Sequence, residues 1–268
     1  MDIALFESSK NAFLDVVEAK EYIQLDRISN VYKSFQESVQ KPLKMIMLYG
    51  KPGTGKSMFL TKLYNDLKEQ QPIFFYKTPI LDESEFFKTL AQDLYGIKYN
   101  DTLNFTHFMK IASANPQEVT PIILLDEAQL YSNDLMEKIR LLSDSRIVKF
   151  VLTLHKTEKE DLIAKEHFQT RIWESIELKN ASKVELKLYI QKKLMKANCF
   201  DSANMFTHKN INLIFKLTSG NYRDTNKLLY TLFEIYETYI QLLKAINTKT
   251  ISNKYIEMAA IHTGLIDA

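Results

Sequence analysis

The chain has 268 residues, of which 46% are hydrophobic and 25% are charged. This balance is ordinary for a globular protein, and no apolar run approaches the roughly 20 residues that span a membrane. A formal net charge of +2 argues against non-specific attraction to nucleic acid or anionic lipid. The single cysteine, Cys199, leaves no internal disulfide, and the amino terminus lacks a basic signal segment, so we expect a cytoplasmic protein.

Four short apolar runs and one segment of alternating hydrophobicity predict the strands of an α/β domain. They lie at residues 45–49, 72–77, 121–129, 148–155 and 171–178. Segments with helical periodicity separate most of them, and Gly96 is expected to end the helix that follows the second strand. Strands that alternate with helices favour a mostly parallel sheet covered by helices on both faces.

The character of the sequence changes near residue 180. From Ser182 onward we predict helices and no strand, and Ser182 with Glu185 forms a candidate capping box at the start of the first helix. We therefore predict two domains, an α/β domain over residues 1–180 and a small all-helical domain over residues 181–268.

Half of the six glycines lie in the stretch "GKPGTGKS", residues 50–57, which fits the phosphate-loop pattern G-x-x-x-x-G-K-[ST]. Glycines allow such a loop to turn consecutive backbone N–H groups inward, where they bind phosphate oxygens at a helix amino terminus. An apolar strand precedes the loop and an amphipathic helix follows it, as the pattern requires. The predicted nucleotide-binding residues are Gly50, Pro52, Gly53, Thr54, Gly55, Lys56, Ser57 and Met58.

Two adjacent acids, Asp126 and Glu127, end the third apolar run. Next to a phosphate loop they predict a magnesium-dependent ATPase, in which Asp126 and the Ser57 hydroxyl hold Mg²⁺. Glu127 would polarise the water that attacks the γ-phosphate, while Lys56 would neutralise charge on the β- and γ-phosphates. The predicted cofactors are therefore ATP and Mg²⁺.

With these motifs the chain resembles the AAA+ ATPases, whose αβα sandwich carries a five-stranded sheet and a helical lid. The resemblance implies a polar sensor at His155, with Thr153 as the alternative, at the end of the strand "FVLTLH". It implies a second sensor at Arg223, in "GNYRDTNKLL" on the lid. It also implies an arginine finger at Arg171 that acts on a neighbouring subunit of an oligomer, with Arg146 as the alternative.

The AAA+ resemblance extends to the segment before the phosphate loop. AAA+ proteins pack adenine against a segment in this place, which in this chain is "YIQLDRI", residues 22–28. Tyr22, Ile23 and Arg27 are therefore candidates for the base pocket. Packing in the protein core is an equally good explanation for them.

The "DEAQ" and G-x-x-R-x-x-N-K-L-L forms are similar to those of the ExeA/GspA branch, which includes TniB-type transposition ATPases. That branch implies work on a protein partner of a secretion, pilus or DNA-uptake apparatus, with any contact to the inner membrane made through the partner. One alternative is a DNA-directed regulator of transposition or replication, for which the first lid helix offers a cluster of lysines at positions 183, 187, 192, 193 and 196. A second alternative is a nucleotide-gated scaffold with little turnover.

Overall fold

In the computed structural model, which describes residues 3–155, 172–243 and 249–267, a five-stranded parallel sheet lies between layers of helices. All five predicted strands are confirmed, and their spatial order is β2-β3-β4-β1-β5. Their bounds are Met45–Gly50 (β1), Ile73–Tyr76 (β2), Ile122–Leu125 (β3), Lys149–His155 (β4) and Ile172–Leu178 (β5).

The strand register brings the carboxyl ends of the central strands to one edge of the sheet. Gly50, the last residue of β1, pairs with His155 of β4 and with Leu178 of β5. Leu125, at the end of β3, pairs with Leu152 of β4. Residues that follow β1 and β3 therefore meet the end of β4, and this edge is where open α/β sheets bind their ligands.

Among the described residues, six α-helices precede the lid: Ile3–Asn11 (α1), Asp26–Gln40 (α2), Lys56–Leu67 (α3), Glu83–Tyr95 (α4), Phe105–Ala114 (α5) and Asn133–Asp144 (α6). Gly96 ends α4 with a φ of 69°, as predicted. The helical region that follows, here called the lid, contains Lys183–Lys196 (α7), Phe200–Asn204 (α8), His208–Thr218 (α9), Tyr222–Leu243 (α10) and Asn253–His262 (α11). The predicted capping box of Ser182 and Glu185 opens α7.

Alternation along the strands divides the buried side chains between two cores. In β3, Ile122 and Leu124 join the core that includes α2, α3 and the lid, whereas Ile123 and Leu125 join the core beneath α4, α5 and α6. Because successive strand residues point to opposite faces, one continuous apolar run fills both cores. The predicted αβα sandwich is therefore confirmed.

Helix α1 packs on the lid and not on the sheet. The ring of Phe6 lies 5.4 Å from that of Tyr236, and Lys10 pairs with Glu237 at 2.6 Å, both partners being on α10. The amino-terminal helix therefore fixes one end of the chain to the lid, and the division at residue 180 stays a prediction. Among the described residues, no helix combines the length and the apolar character needed to cross a bilayer.

Candidate functional site

The phosphate loop joins β1 to α3, and its backbone has the conformation that the glycines predicted. Gly53 and Gly55 have φ angles of 78° and 92°, in the left-handed region that side chains with a Cβ rarely adopt. A Cβ on Gly53 would also overlap the side-chain amide of Asn221 from the lid. The loop thus needs glycine at this position both for its turn and for the close approach of the lid.

Lys56, the first residue of α3, is buried inside this loop. Its side chain is 5% exposed, and Nζ donates to the carbonyl oxygens of Gly50 at 3.0 Å and Lys51 at 3.1 Å. Burial lowers the pKa of Lys56 to about 8, because desolvation disfavours the ammonium form. The charge of Arg223 lowers this pKa further, whereas the carboxylates of Glu127 and Asp126 oppose the shift.

The two acids follow β3, and their charges act on Lys56, which follows β1 on the other side of β4. Asp126 is 5% exposed, and its Oδ1 accepts hydrogen bonds from the Thr153 hydroxyl and from the Glu127 backbone N–H. Thr153, the alternative sensor, therefore orients the carboxylate that was predicted to bind the metal. Oδ2 of Asp126 has no hydrogen-bond donor among the described residues and can still act as a ligand.

Glu127 turns sharply out of β3, with φ of 51° and ψ of 44°. Its Oε2 lies 3.0 Å from Nε2 of His155 and accepts a hydrogen bond from the Gln129 amide. The carbonyl oxygen of the same amide accepts from the His155 backbone N–H at 3.4 Å. His155 and Gln129 together therefore fix the direction of the Glu127 carboxylate. Sequence reasoning missed Gln129, although its place in "DEAQ", two residues after Glu127, was a usable signal.

The lid is hydrogen-bonded directly to the phosphate loop. Asn221 donates from Nδ2 to the Pro52 carbonyl at 2.7 Å, and the Tyr222 backbone N–H donates to the Gly53 carbonyl at 3.2 Å. Arg223, the next residue, lies against Asp15 of the amino-terminal segment, with Nε 3.4 Å from Oδ2. The predicted second sensor is thus placed beside the loop, half-exposed, and held by a pair that is worth roughly 0–1 kcal/mol.

A cavity of about 930 Å³, measured with its open mouth, runs from the phosphate loop to the lid. Gly53 through Phe59, Glu127, His155 and Arg223 line one part of it. The remaining wall is largely apolar and includes Tyr22 and Ile23, the two candidates for a base pocket, with Leu25 and Ile28. Arg27 lies outside the lining, where its Nε donates to Glu185 at 2.7 Å.

The lysine cluster on α7 is largely engaged within the chain. Lys192 donates to the Gln24 carbonyl at 2.6 Å, and Lys196 lies 3.7 Å from Glu21. Lys193 is only 7% exposed and lines the cavity. These three lysines therefore face the amino-terminal segment and the cavity, while Lys183 and Lys187 are exposed on the same helix.

Burial affects Lys193 as it affects Lys56, and lowers its pKa to about 8. Asp15 and Glu21 oppose this shift, and Lys196 adds to it. Between pH 8 and the ordinary lysine pKa of 10.5, the unfolded chain keeps protons that the folded protein has released, so stability rises with pH in this window.

We expect the wild type to gain up to about 1.4 kcal/mol of unfolding free energy per pH unit from each of the two lysines. Lys56→Met and Lys193→Met should each lack one of these contributions. Urea unfolding at pH 8 and pH 9.5 measures the gain in unfolding free energy. Subtracting the gain of the variant from that of the wild type cancels the contribution of the other titrating groups. Equal pH slopes for wild type and Lys193→Met would contradict the assignment.

The donor set fits a magnesium–nucleotide complex. Ser57 and Asp126 supply the hard oxygen ligands that Mg²⁺ prefers, and the left-handed glycines supply inward-facing N–H groups for phosphate. When bound, Mg²⁺ would neutralise charge on the phosphate oxygens. Gly50 and Pro52, two other predicted binding residues, take part through carbonyls that accept from Lys56 and Asn221.

The arginine finger was predicted at Arg171, with Arg146 as the alternative. Arg171 lies outside the described residues. Arg146 is exposed in the loop before β4, at the edge of the sheet opposite Glu127, and has a φ of 60°.

These features define a P-loop AAA+ fold. The parallel sheet has this strand order, a phosphate loop follows β1, acids follow β3, and helices form a lid. A protein-family model described as AAA domain matches residues 40–163, which include the phosphate loop, both acids and the whole of β4. No curated protein matches the sequence of this chain.

Solved structures of similar fold include three proteins of low sequence identity. Cdc6p from Pyrobaculum aerophilum is 13% identical with a TM-score of 0.68, covering 98% of this chain and 71% of that one. ORC1 of Aeropyrum pernix, solved in complex with DNA, is 15% identical with a TM-score of 0.66, covering 94% and 69%. The RuvB Holliday junction branch migration motor of Thermotoga maritima is 17% identical with a TM-score of 0.58, covering 92% and 72%.

Proposed function

We propose that this protein binds Mg·ATP and hydrolyses it. One observation carries the proposal: the buried ammonium of Lys56 lies in a glycine-shaped loop and is close enough to Asp126 and Glu127 for both to affect its pKa. A buried cation beside a pair of acids, at the edge where a parallel sheet binds ligands, suits a polyphosphate with its metal ion.

In this proposal the residues divide into binding and hydrolytic groups. Backbone N–H groups of the phosphate loop bind the phosphates, and Lys56 exchanges its two loop carbonyls for phosphate oxygens. Ser57 and Asp126 hold the metal ion. Glu127 takes a proton from the attacking water. It can do so only when its carboxylate points at that water and lies within hydrogen-bond reach of it.

His155 and Gln129 serve as positioning residues in this proposal, because they grip the Glu127 carboxylate. Arg223 would leave its weak pair with Asp15 and contact the γ-phosphate from the lid. The lid is bonded to the phosphate loop through Asn221 and Tyr222, so a nucleotide that reshapes the loop also moves the lid. This linkage supports the coupling of ATP turnover to work on a partner.

For that work we favour assembly or remodelling of a protein complex, of the secretion, pilus or DNA-uptake type that the ExeA-like motifs imply, by a self-associating ATPase. Names of the structural neighbours, including an ORC1–DNA complex and a branch migration motor, favour the alternative of a DNA-directed regulator. Against that alternative, Lys193 is buried and Lys192 and Lys196 contact the amino-terminal segment, which leaves Lys183 and Lys187 as the lysines of this cluster that are exposed and have no partner among the described residues. The scaffold alternative differs from both in predicting nucleotide binding without turnover.

Replacing Lys56 with alanine should weaken Mg·ATP binding by at least about 100-fold, because charge-assisted bonds to two phosphates are lost. Isothermal titration calorimetry or a fluorescent nucleotide measures the affinity. Lys51→Ala is the matched control: it lies in the same loop with an exposed side chain and should bind as the wild type does. Equal affinity in Lys56→Ala and wild type would refute the site, provided that both proteins unfold at similar temperatures.

A further inference from the structure

Lys193 is a buried cation, and most of its N–H donors have no acceptor among the described residues. It lies on α7 with 7% of its surface exposed, and it lines the same cavity as the phosphate loop. Its Nζ contacts Asn226 and the rings of Phe13 and Tyr189, whereas Nζ of Lys56 contacts the phosphate-loop carbonyls. The two lysines therefore occupy different ends of one cavity.

An ammonium group has three N–H donors, and the described residues give this one a single acceptor. Nζ lies 3.5 Å from Oδ1 of Asn226, which also accepts a shorter bond of 2.9 Å from the Tyr189 hydroxyl. The faces of Phe13 and Tyr189 lie 5.6 Å and 5.7 Å from Nζ and give partial compensation. A buried charge with so few partners is unfavourable unless a ligand completes its hydrogen bonds.

Neither of the two carboxylates near Lys193 is hydrogen-bonded to it, and each pairs with another cation in this structure. Asp15 pairs with Arg223 at 3.4 Å and Glu21 pairs with Lys196 at 3.7 Å. Asn226 adds a second donor, because its carbonyl oxygen is occupied and its amide N–H₂ has no acceptor among the described residues. This end of the cavity therefore presents donors from Lys193 and Asn226 between apolar walls that include Ile23 and Leu25.

We propose that Lys193 and Asn226 recognise the purine base of the bound nucleotide by donating hydrogen bonds to its ring nitrogens. The proposal rests on the proposed function, since the phosphates occupy the loop end and leave the base for the Lys193 end. The apolar side chains that line the cavity suit the faces of a purine, and ring nitrogens N1, N3 and N7 accept hydrogen bonds without carrying charge. Lys193 is thus a specificity residue on the lid, separate from the phosphate contacts.

The test compares Lys193→Met with Lys187→Met, a matched control on the exposed side of the same helix. Binding of ATP, 1-deaza-ATP, 3-deaza-ATP, 7-deaza-ATP and inorganic tripolyphosphate is measured by calorimetry. Lys193→Met should bind ATP about 10-fold or more weakly, as expected for the loss of a charged hydrogen bond, and should bind tripolyphosphate as the wild type does. Lys187→Met should match the wild type for every ligand.

The deaza analogues identify the contact by a double-mutant cycle. One analogue should bind the wild type about as weakly as ATP binds Lys193→Met, and should lose little further affinity in the variant. Equal losses for all analogues in both proteins would overturn the proposal, as would unchanged ATP affinity in Lys193→Met. Absence of ATP binding to the wild type would instead overturn the proposed function.

Thermal unfolding without nucleotide separates recognition from a structural role. Lys193→Met removes an underpartnered buried charge and keeps an unbranched stem of similar length, so at pH 7 it should unfold at the wild-type temperature or above. A lower unfolding temperature, with base discrimination unchanged, would show that Lys193 only fastens the amino-terminal segment and would overturn the proposal.

Discussion

Replacing Glu127 with glutamine is expected to leave Mg·ATP affinity within about twofold of the wild type and to reduce turnover by about 10²- to 10⁴-fold. Glutamine keeps the length and shape of the side chain but removes its negative charge. Without that charge the residue neither polarises water nor takes its proton, while the phosphate contacts of Lys56 and the loop remain. Single-turnover hydrolysis and equilibrium binding separate the two effects.

The neighbours of Glu127 support this expectation, because they contact its charged group. The carboxylate accepts a hydrogen bond from Gln129 and faces Nε2 of His155 at 3.0 Å, so both neighbours act on the charge that the variant removes. Glu118→Gln, an exposed substitution in the loop before β3, is the matched control and should hydrolyse ATP normally. Wild-type turnover in Glu127→Gln would remove Glu127 from the hydrolytic role. A wild-type protein that binds ATP without hydrolysing it at any concentration would favour the scaffold alternative.

The α/β part of the fold was predictable because its signals are local. Four short apolar runs and one alternating segment located the five strands, and Gly96 and Ser182 are residues that helix ends favour. Helix α2 was missed although Ile28, Tyr32 and Phe35 repeat at helical spacing, so its signal was present in the sequence. Helix α1 is different, because the ring of Phe6 packs against α10, more than 200 residues later in the chain.

Some residues of the candidate site were predictable from local motifs, and others were not. The loop and the acids are contiguous motifs, so their positions followed from spacing alone. Asn221 contacts Pro52 and Asp15 contacts Arg223 because the lid and the amino-terminal segment fold over the loop. No pattern in the sequence predicted these contacts. For the same reason Lys193 was grouped with surface lysines, although it lines the cavity. The AAA+ fold is confirmed, while the ExeA-like branch stays a prediction.

The last prediction concerns self-association. Replacing Arg171 with alanine should reduce ATP turnover by roughly 10³-fold or more without weakening ATP binding, as expected for the loss of a guanidinium that stabilises the developing phosphoryl charge. We propose, as the AAA+ resemblance implies, that this guanidinium acts on the nucleotide of a neighbouring subunit.

Mixing two inactive proteins tests this arrangement. Lys56→Ala subunits are expected to bind nucleotide too weakly for turnover but still carry Arg171, whereas Arg171→Ala subunits bind nucleotide but lack the finger. A mixture should regain activity because one protein supplies the arginine and the other supplies the site, and wild-type specific activity should rise with protein concentration. Arg146→Ala, at an exposed arginine in the loop before β4, is the matched control and should stay active. If Arg171→Ala turns over ATP at the wild-type rate, the finger lies elsewhere and Arg146 becomes the candidate; if specific activity is constant on dilution, each chain holds a complete site.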